Sequence, residues 1–233
     1  MTNAKYDLAK GLERIQKILA TKPIPKERKL TKDLLKQLTF DNGFYVNCIA
    51  LFVDIRSSSG LTDEHHRPTV AKVYRAFVSE VLQVIKHYSP VHTDIIGDCV
   101  SGYFAGDCKS EIDNIFNCAA RINSVMLLLN AELRKKGIAE IEVGIGLSYG
   151  RILLVQAGIH GNNTHSDNDI VWIGNAVNEA SKLSDGRNII KMSNVFYDNL
   201  NHDNKKLCKR GYSPYEEIYQ SQAYYTDIDD LIK

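Results

Sequence analysis

The sequence predicts an α+β domain, a mostly antiparallel sheet with flanking helices. Three observations predict it. VNCIALFVDI (46–55) is an unbroken apolar run rich in β-branched residues and reads as a buried strand. Segments 69–88 and 111–136 repeat apolar residues at helical spacing. Between them, VHTDIIGDCVSGYF (91–104) breaks at Gly97-Asp98, a hairpin signal. The order is therefore strand, helix, hairpin, helix, strands.

Each element has its local reason. Tyr6, Leu8, Leu12, Ile15, Ile18 and Leu19 fall on a helix that Lys22-Pro-Ile-Pro25 ends. A second amphipathic piece follows Thr31, with Leu34, Leu35 and Leu38. Residues 1–40 hold ten Lys or Arg against four acids, a net of +6, and read as a basic helical segment ahead of a main domain at 41–233. These helices are expected to pack on the domain or on a second copy. Tyr6 is the one aromatic residue among the basic ones, too little stacking surface for a nucleic-acid grip. In 69–88, Val70, Val73, Phe77, Val81, Leu82 and Ile85 share one face, and Pro68 stands near the start. Gly137 ends the helix at 111–136. IEVGIGLSYGRILLVQAG (141–158) reads as two strands, GNAVNEASKLSDG (174–186) as a short helix and NIIKMS (188–193) as a strand. The tail from Asn201 is polar and Tyr-rich and predicts no definite element. The chain shows no internal repeat.

The 233 residues carry 29 Lys or Arg and 28 Asp or Glu, a net charge of +1. That balance excludes bulk attraction to nucleic acid or anionic membrane. Because 1–40 carries +6, the rest carries −5. No apolar run approaches the roughly 20 residues of a membrane span, and the first residues lack a signal-peptide stretch. Cys48, Cys99, Cys108, Cys118 and Cys208 form no CxxC pair and fit reduced thiols. These features predict a cytoplasmic protein with no membrane partner.

Chemistry concentrates at a few positions. Asp54 ends the first apolar strand and Asp98 sits at the hairpin tip. Either alone reads as a cap or a turn residue; together they suit a paired carboxylate site for two hard cations. Arg151 follows Gly150 between apolar stretches, as a solvating edge charge or as a fork for phosphate. Asn178 and Lys182 are spaced i, i+4 and share a helix face, either solvated or turned to a ligand. No GxxxxGK[ST] loop and no nucleophile motif is present.

FVDIRSS, TDIIGDCVSGYF, VGIGLSYGRI and WIGNAVNEASKL occur in that order within residues 45–197. The set resembles the catalytic domain of class III nucleotidyl cyclases, the adenylate and guanylate cyclase family. The resemblance implies a ferredoxin-like βαββαβ core. It implies that Asp54 and Asp98 bind two Mg²⁺ or Mn²⁺, with Ile55 offering its backbone carbonyl. Arg151 matches the arginine on the triphosphate and Asn178 the asparagine that orients the ribose. Lys182 stands where the family has a transition-state arginine, which keeps the charge and loses the fork. Lys205, Lys206 and Lys209 lie near the family's C-terminal phosphate lysine, and the pattern does not choose among them. The family works as a head-to-tail homodimer with shared sites: metals and Arg151 from one chain, Asn178, Lys182 and the base pocket from the other. In that chemistry the ribose 3′-oxygen attacks the α-phosphate in line and pyrophosphate leaves, with metals lowering the hydroxyl pKa.

For the base, the family's reading positions fall at Asp94 and Val171, a pair that matches neither the adenine nor the guanine set. Phe52, Ile96 and Trp172 are expected as pocket walls, although a lone Trp is more often core. Asp94 accepts an N–H when ionised. Cytosine's amine suits it, and so does uracil N3–H; cytosine is set slightly ahead, guanine also presents N–H groups, and adenine is least supported. A compact cyclase of this kind resembles the bacterial pyrimidine cyclases of the Pycsar anti-phage systems. They make cyclic CMP or cyclic UMP to activate a separate effector. A degenerate nucleotide-binding dimer is the competing reading: Lys182 favours it, and retention of Asp54 and Asp98 opposes it.

Overall fold

The structure, a computed structural model, describes residues 6–22, 24–56, 58–159, 168–213 and 216–232. In chain order the elements are α1 (Leu8–Ala20), β1 (Lys26–Glu27), α2 (Lys32–Leu35), β2 (Gly43–Arg56), α3 (Ser58–Glu64), α4 (Arg67–His87), β3 (His92–Ile96), β4 (Cys99–Ala105), α5 (Lys109–Lys135), β5 (Glu142–Gly158), β6 (Asn168–Ile173), α6 (Asn175–Leu183), β7 (Ile189–Ser193), α7 (Asn194–Asn199), α8 (His202–Lys206), β8 (Lys209–Arg210) and β9 (Ile218–Ser221). One sheet runs β3-β4-β2-β5-β7-β9-β8, with β1 on β2 and β6 on β5. Only the β1–β2 and β5–β7 pairs are parallel, so the mostly antiparallel α+β expectation is met.

The run 46–55 lies inside β2, at the middle of the sheet, and is buried on both faces. Ile49, Leu51, Val53 and Ile55 pack against α4 and α5 through Val73, Phe77, Ile85, Ile115 and Phe116. The alternate residues Cys48, Ala50 and Phe52 join the opposite core with Tyr103, Trp172, Ala176 and Ala180. A strand with period-two side chains buried on both sides has no polar alternation to show, which is why it reads as one apolar run.

One expectation fails in β5. The 141–158 segment is a single 17-residue strand, not two. Gly150 and Arg151 stay in the ladder opposite Cys48 and Asn47 of β2. What changes midway is the other neighbour: β7 flanks residues 144–147 and β6 flanks 153–158. The glycine thus marks a change of partner and no break in the backbone.

The basic N-terminal segment divides in two. β1 pairs with β2, and Arg28 N–H donates to the Tyr45 carbonyl at 2.9 Å. Leu30, Leu34 and Leu38 are buried in the core on the Phe52 face, and Thr31 caps α2. In α1, by contrast, Leu8, Leu12, Ile15, Ile18 and Leu19 are 56–79% exposed. The polar tail also finds structure. β9 pairs with β7, the Tyr219 ring stacks on Tyr197 at 3.5 Å, and Asp227 accepts two bonds from Arg121 of α5 at 2.6 Å.

Candidate active site

The residues expected to bind metal are set by β2 and the β3–β4 hairpin. Asp54 is in register with Cys99, the residue after Asp98. Gly97 takes φ +64° at the first loop position, the type II′ hairpin pattern that only a residue without Cβ adopts freely. The turn therefore holds Asp98 near the end of β2. Burial holds the Asp54 carboxyl above its ordinary value, and the charge of Asp98 adds to that; Arg56, 3.2 Å from Asp54, opposes both. Two half-buried oxygen donors that raise each other's energy suit a hard divalent cation, so the residues fit the implied metals. The Ile55 side chain is 2% exposed in the α4–α5 core, so only its backbone is available to a cation. Among the described residues no three His, Cys, Asp or Glu gather as a metal cluster. The remaining ligands must then be water and substrate oxygen. Cys99, between the two aspartates, has its thiol pushed up to about 12, first by burial and then by their charges. It is a neutral thiol, not a nucleophile.

α6 lies over β5 on the Asp54 face. A Cβ at Gly146 would stand 1.9 Å from the Ala180 carbonyl oxygen, and one at Gly144 1.9 Å from that of Ser184. The two glycines let the helix backbone approach the strand directly. Ala176 and Ala180 face inward, and Glu179 accepts from Ser148 Oγ at 2.9 Å, which turns Asn178 and Lys182 outward, both exposed. Neither is bonded to Asp54 or Asp98 among the described residues.

Arg151 is also exposed, and it is engaged. Its Nε donates to Glu27 of β1 at 2.9 Å, its second nitrogen bonds the same carboxylate, and its guanidinium lies 3.6 Å over the Tyr45 ring. Of the C-terminal lysines, Lys206 pairs with Asp203 at 2.9 Å and Lys205 bonds the Asp198 carbonyl at 2.8 Å, while Lys209 lies in β8.

The predicted base-pocket residues separate into two groups. Phe52 meets Tyr103 edge-on at 6.1 Å, and Trp172 stacks on Tyr103 at 4.0 Å and 8°. Trp172 is 8% exposed, the core alternative, and its indole N–H has no partner among the described residues. Asp94 joins this cluster through His92, whose Nε2 is 2.7 Å from Oδ1. Ile96 and Val171 do not join it; they are 74% and 40% exposed. His92 and Tyr103 were missed from the sequence. The signal was there: His92 is two residues from Asp94 on one strand face, and hairpin register puts Tyr103 opposite His92. Glu27 and Tyr45 carried no such signal. His92 also lines a cavity of about 610 Å³ with Lys36, Gln156 and Asp169.

Residues 42–224 match the family described as Adenylate and Guanylate cyclase catalytic domain. A uridylate cyclase from Treponema porcinum is 36% identical, over 98% of this chain and 79% of its own length. A uridylate cyclase from Gulbenkiania mobilis is 34% identical, over 78% of this chain and 72% of its own. Among solved structures, the adenylyl cyclase CyaB from P. aeruginosa superposes with TM-score 0.66 at 20% identity, covering 79% of this chain and 98% of its own. A class III adenylyl cyclase-like ATP-binding protein from Pseudomonas aeruginosa reaches TM-score 0.72 at 19% identity, over 97% of this chain and 49% of its own.

Proposed function

The chain belongs to the adenylate and guanylate cyclase catalytic domain family and is a nucleotidyl cyclase, and on that premise we propose that it converts UTP to 3′,5′-cyclic UMP and pyrophosphate. The observation that carries the reading is the pair of facing, half-buried carboxylates, Asp54 and Asp98, at the end of β2 and the hairpin tip. The uridylate cyclase relatives move the base from the slight lean toward cytosine to uracil, whose N3–H Asp94 is equipped to accept.

The reaction joins the ribose 3′-oxygen to the α-phosphorus and breaks the bond to the β-phosphate oxygen; the hydroxyl proton leaves to solvent. Divalent cations, Mg²⁺ or Mn²⁺, two per site, would supply the lowered hydroxyl pKa and offset charge on the pyrophosphate when bound. The chain's own part is positioning and electrostatics. Asp54 and Asp98 are the anionic side of the site. Arg151 presents a planar fork to the triphosphate once Glu27 yields it. Asn178 orients the ribose, and Lys182 supplies a point charge to the phosphoryl group in flight.

We assign the working unit as a homodimer with sites shared at the interface. The exposure of Arg151, Asn178 and Lys182 supports this, as does the lack of any bond from α6 to the aspartates. The messenger reading follows the Pycsar resemblance: a cytoplasmic cyclase signalling phage infection to a separate cyclic-nucleotide-activated effector, with no nucleic-acid and no membrane partner. Among the described residues no helix is long and apolar enough to cross a membrane.

Purified protein incubated with UTP, CTP, GTP or ATP and Mn²⁺ or Mg²⁺ tests the proposal. Cyclic UMP as the dominant product supports it. Absence of any cyclic product would leave the nucleotide-binding dimer, the reading that Lys182 in place of arginine favours.

A further inference from the structure

We propose that His92 is a positioning residue for base recognition: it holds the Asp94 carboxylate as a fixed acceptor and so selects uracil over cytosine. The inference rests on the reading of Asp94 as the base contact and adds the residue that sets its chemistry.

The geometry is specific. His92 and Asp94 lie two apart on β3, on the face shared with Phe52, Tyr103 and Trp172. The imidazole is held by two rings that are themselves stacked, with centroids 6.0 Å from Tyr103 and 5.6 Å from Trp172. Its Nε2 reaches Asp94 Oδ1 at 2.7 Å. A carboxylate has no proton to give, so Nε2 must carry it. One oxygen is thus occupied by a rigid donor, and Oδ2 is left for a ligand.

The state of the proton decides which base fits. Uracil N3 carries a hydrogen, which an ionised carboxylate accepts. Cytosine N3 is a lone pair and repels it. A protonated carboxyl would do the reverse, donating to cytosine N3 and accepting from its amine. The proton of this pair stays on the ring: the bond to Asp94 raises His92 above the ordinary histidine value, although burial works against it. Among the other groups near the ring, Asp169 of β6 raises it further and Tyr103 of β4 is kept a phenol by burial; Lys36, just past α2, lines the same cavity as the one opposing charge and is paired with Asp33 at 2.8 Å.

The test is competition between UTP and CTP, read as the ratio of kcat/KM values, so that pH effects on the shared chemistry cancel. His92→Phe keeps a ring beside Tyr103 and Trp172 and removes the donor. The expected result is a fall in the uracil preference of about tenfold, the scale of one lost charge-assisted bond, with KM for UTP rising more than kcat falls. His92→Gln keeps a donor and should recover part of the preference. Asp94→Asn separates the two levels. An unchanged base preference in Asp94→Asn refutes the reading of Asp94 itself. A changed preference in Asp94→Asn with none in His92→Phe refutes the role of His92. Should His92→Phe fail to fold, His92→Leu takes its place, and an unchanged ratio there overturns the proposal.

Discussion

Gly146→Ala tests how closely the seat of α6 on β5 governs catalysis. The added Cβ would lie 1.9 Å from the carbonyl oxygen of Ala180. Real contacts of this kind do not fall below about 3 Å, and the obstacle is helix backbone, not a side chain that can swing away. The helix must therefore retreat by more than about 1 Å, and Asn178 and Lys182 must move with it. Overpacking of this sort costs about 1–3 kcal/mol, or roughly 2–12 °C in Tm for a chain of this size. A 1 Å misplacement of a positioning group costs on the order of a hundredfold in rate. The assay is cyclic nucleotide formation at saturating UTP beside a thermal melt. Gly60→Ala is the control, since nothing lies within 4 Å of its added Cβ and it sits in α3; it should melt at or above the wild-type temperature with full activity. Wild-type rate and melting in Gly146→Ala would refute the argument that the glycine seat places Asn178 and Lys182.

The other predictions concern charge. Asp54→Asn should lower product at least about a hundredfold while the protein stays folded; retained activity would remove Asp54 from the metal site. The raised Asp54 value has its own sign: without metal the ionised carboxyl disfavours the folded state, and that burden is relieved as pH falls through its folded value. The melting advantage of metal-free Asp54→Asn over wild type should then shrink on acidification and vanish with added Mg²⁺; an advantage constant with pH contradicts the raised Asp54 value, which burial sets first and Asp98 second. Glu27→Gln should lower KM for the triphosphate about threefold, the scale of an exposed ion pair, and an unchanged KM would mean that Glu27 does not compete for Arg151. Lys182→Ala should lower kcat about a hundredfold with little change in KM, as expected for a charge felt mainly in the transition state; a rise in KM alone would make it a ground-state contact.

What could be read from the sequence was what local chemistry decides. The apolar run in β2, the Gly97-Asp98 turn and the helical stripes of α4 and α5 depend on near neighbours only. The positions of Asp54 and Asp98 were legible because strand ends and turn tips place them whatever the rest of the chain does. Four things depended on distant partners. β5 read as two strands because Gly150 resembles a break, and only β2 keeps it in register. The tail looked shapeless because its partners are Arg121 and Tyr197, many residues away. Trp172 stood as either wall or core, and only the distant Tyr103, which stacks on it, decides for core. The engagement of Arg151 by Glu27 joins residues that no spacing connects.

The placement of the two kinds of aspartate has a consequence in evolutionary terms. Asp54 stands on β2, laddered on both sides by β4 and β5, where any change disturbs three strands. Asp94 and His92 stand on β3, the rim of the sheet, which is laddered on one side only. Substitutions on a rim strand disturb fewer neighbours than those at the centre. If the proposed roles hold, a lineage built on this sheet can change the base it reads in a few steps while Asp54 stays fixed.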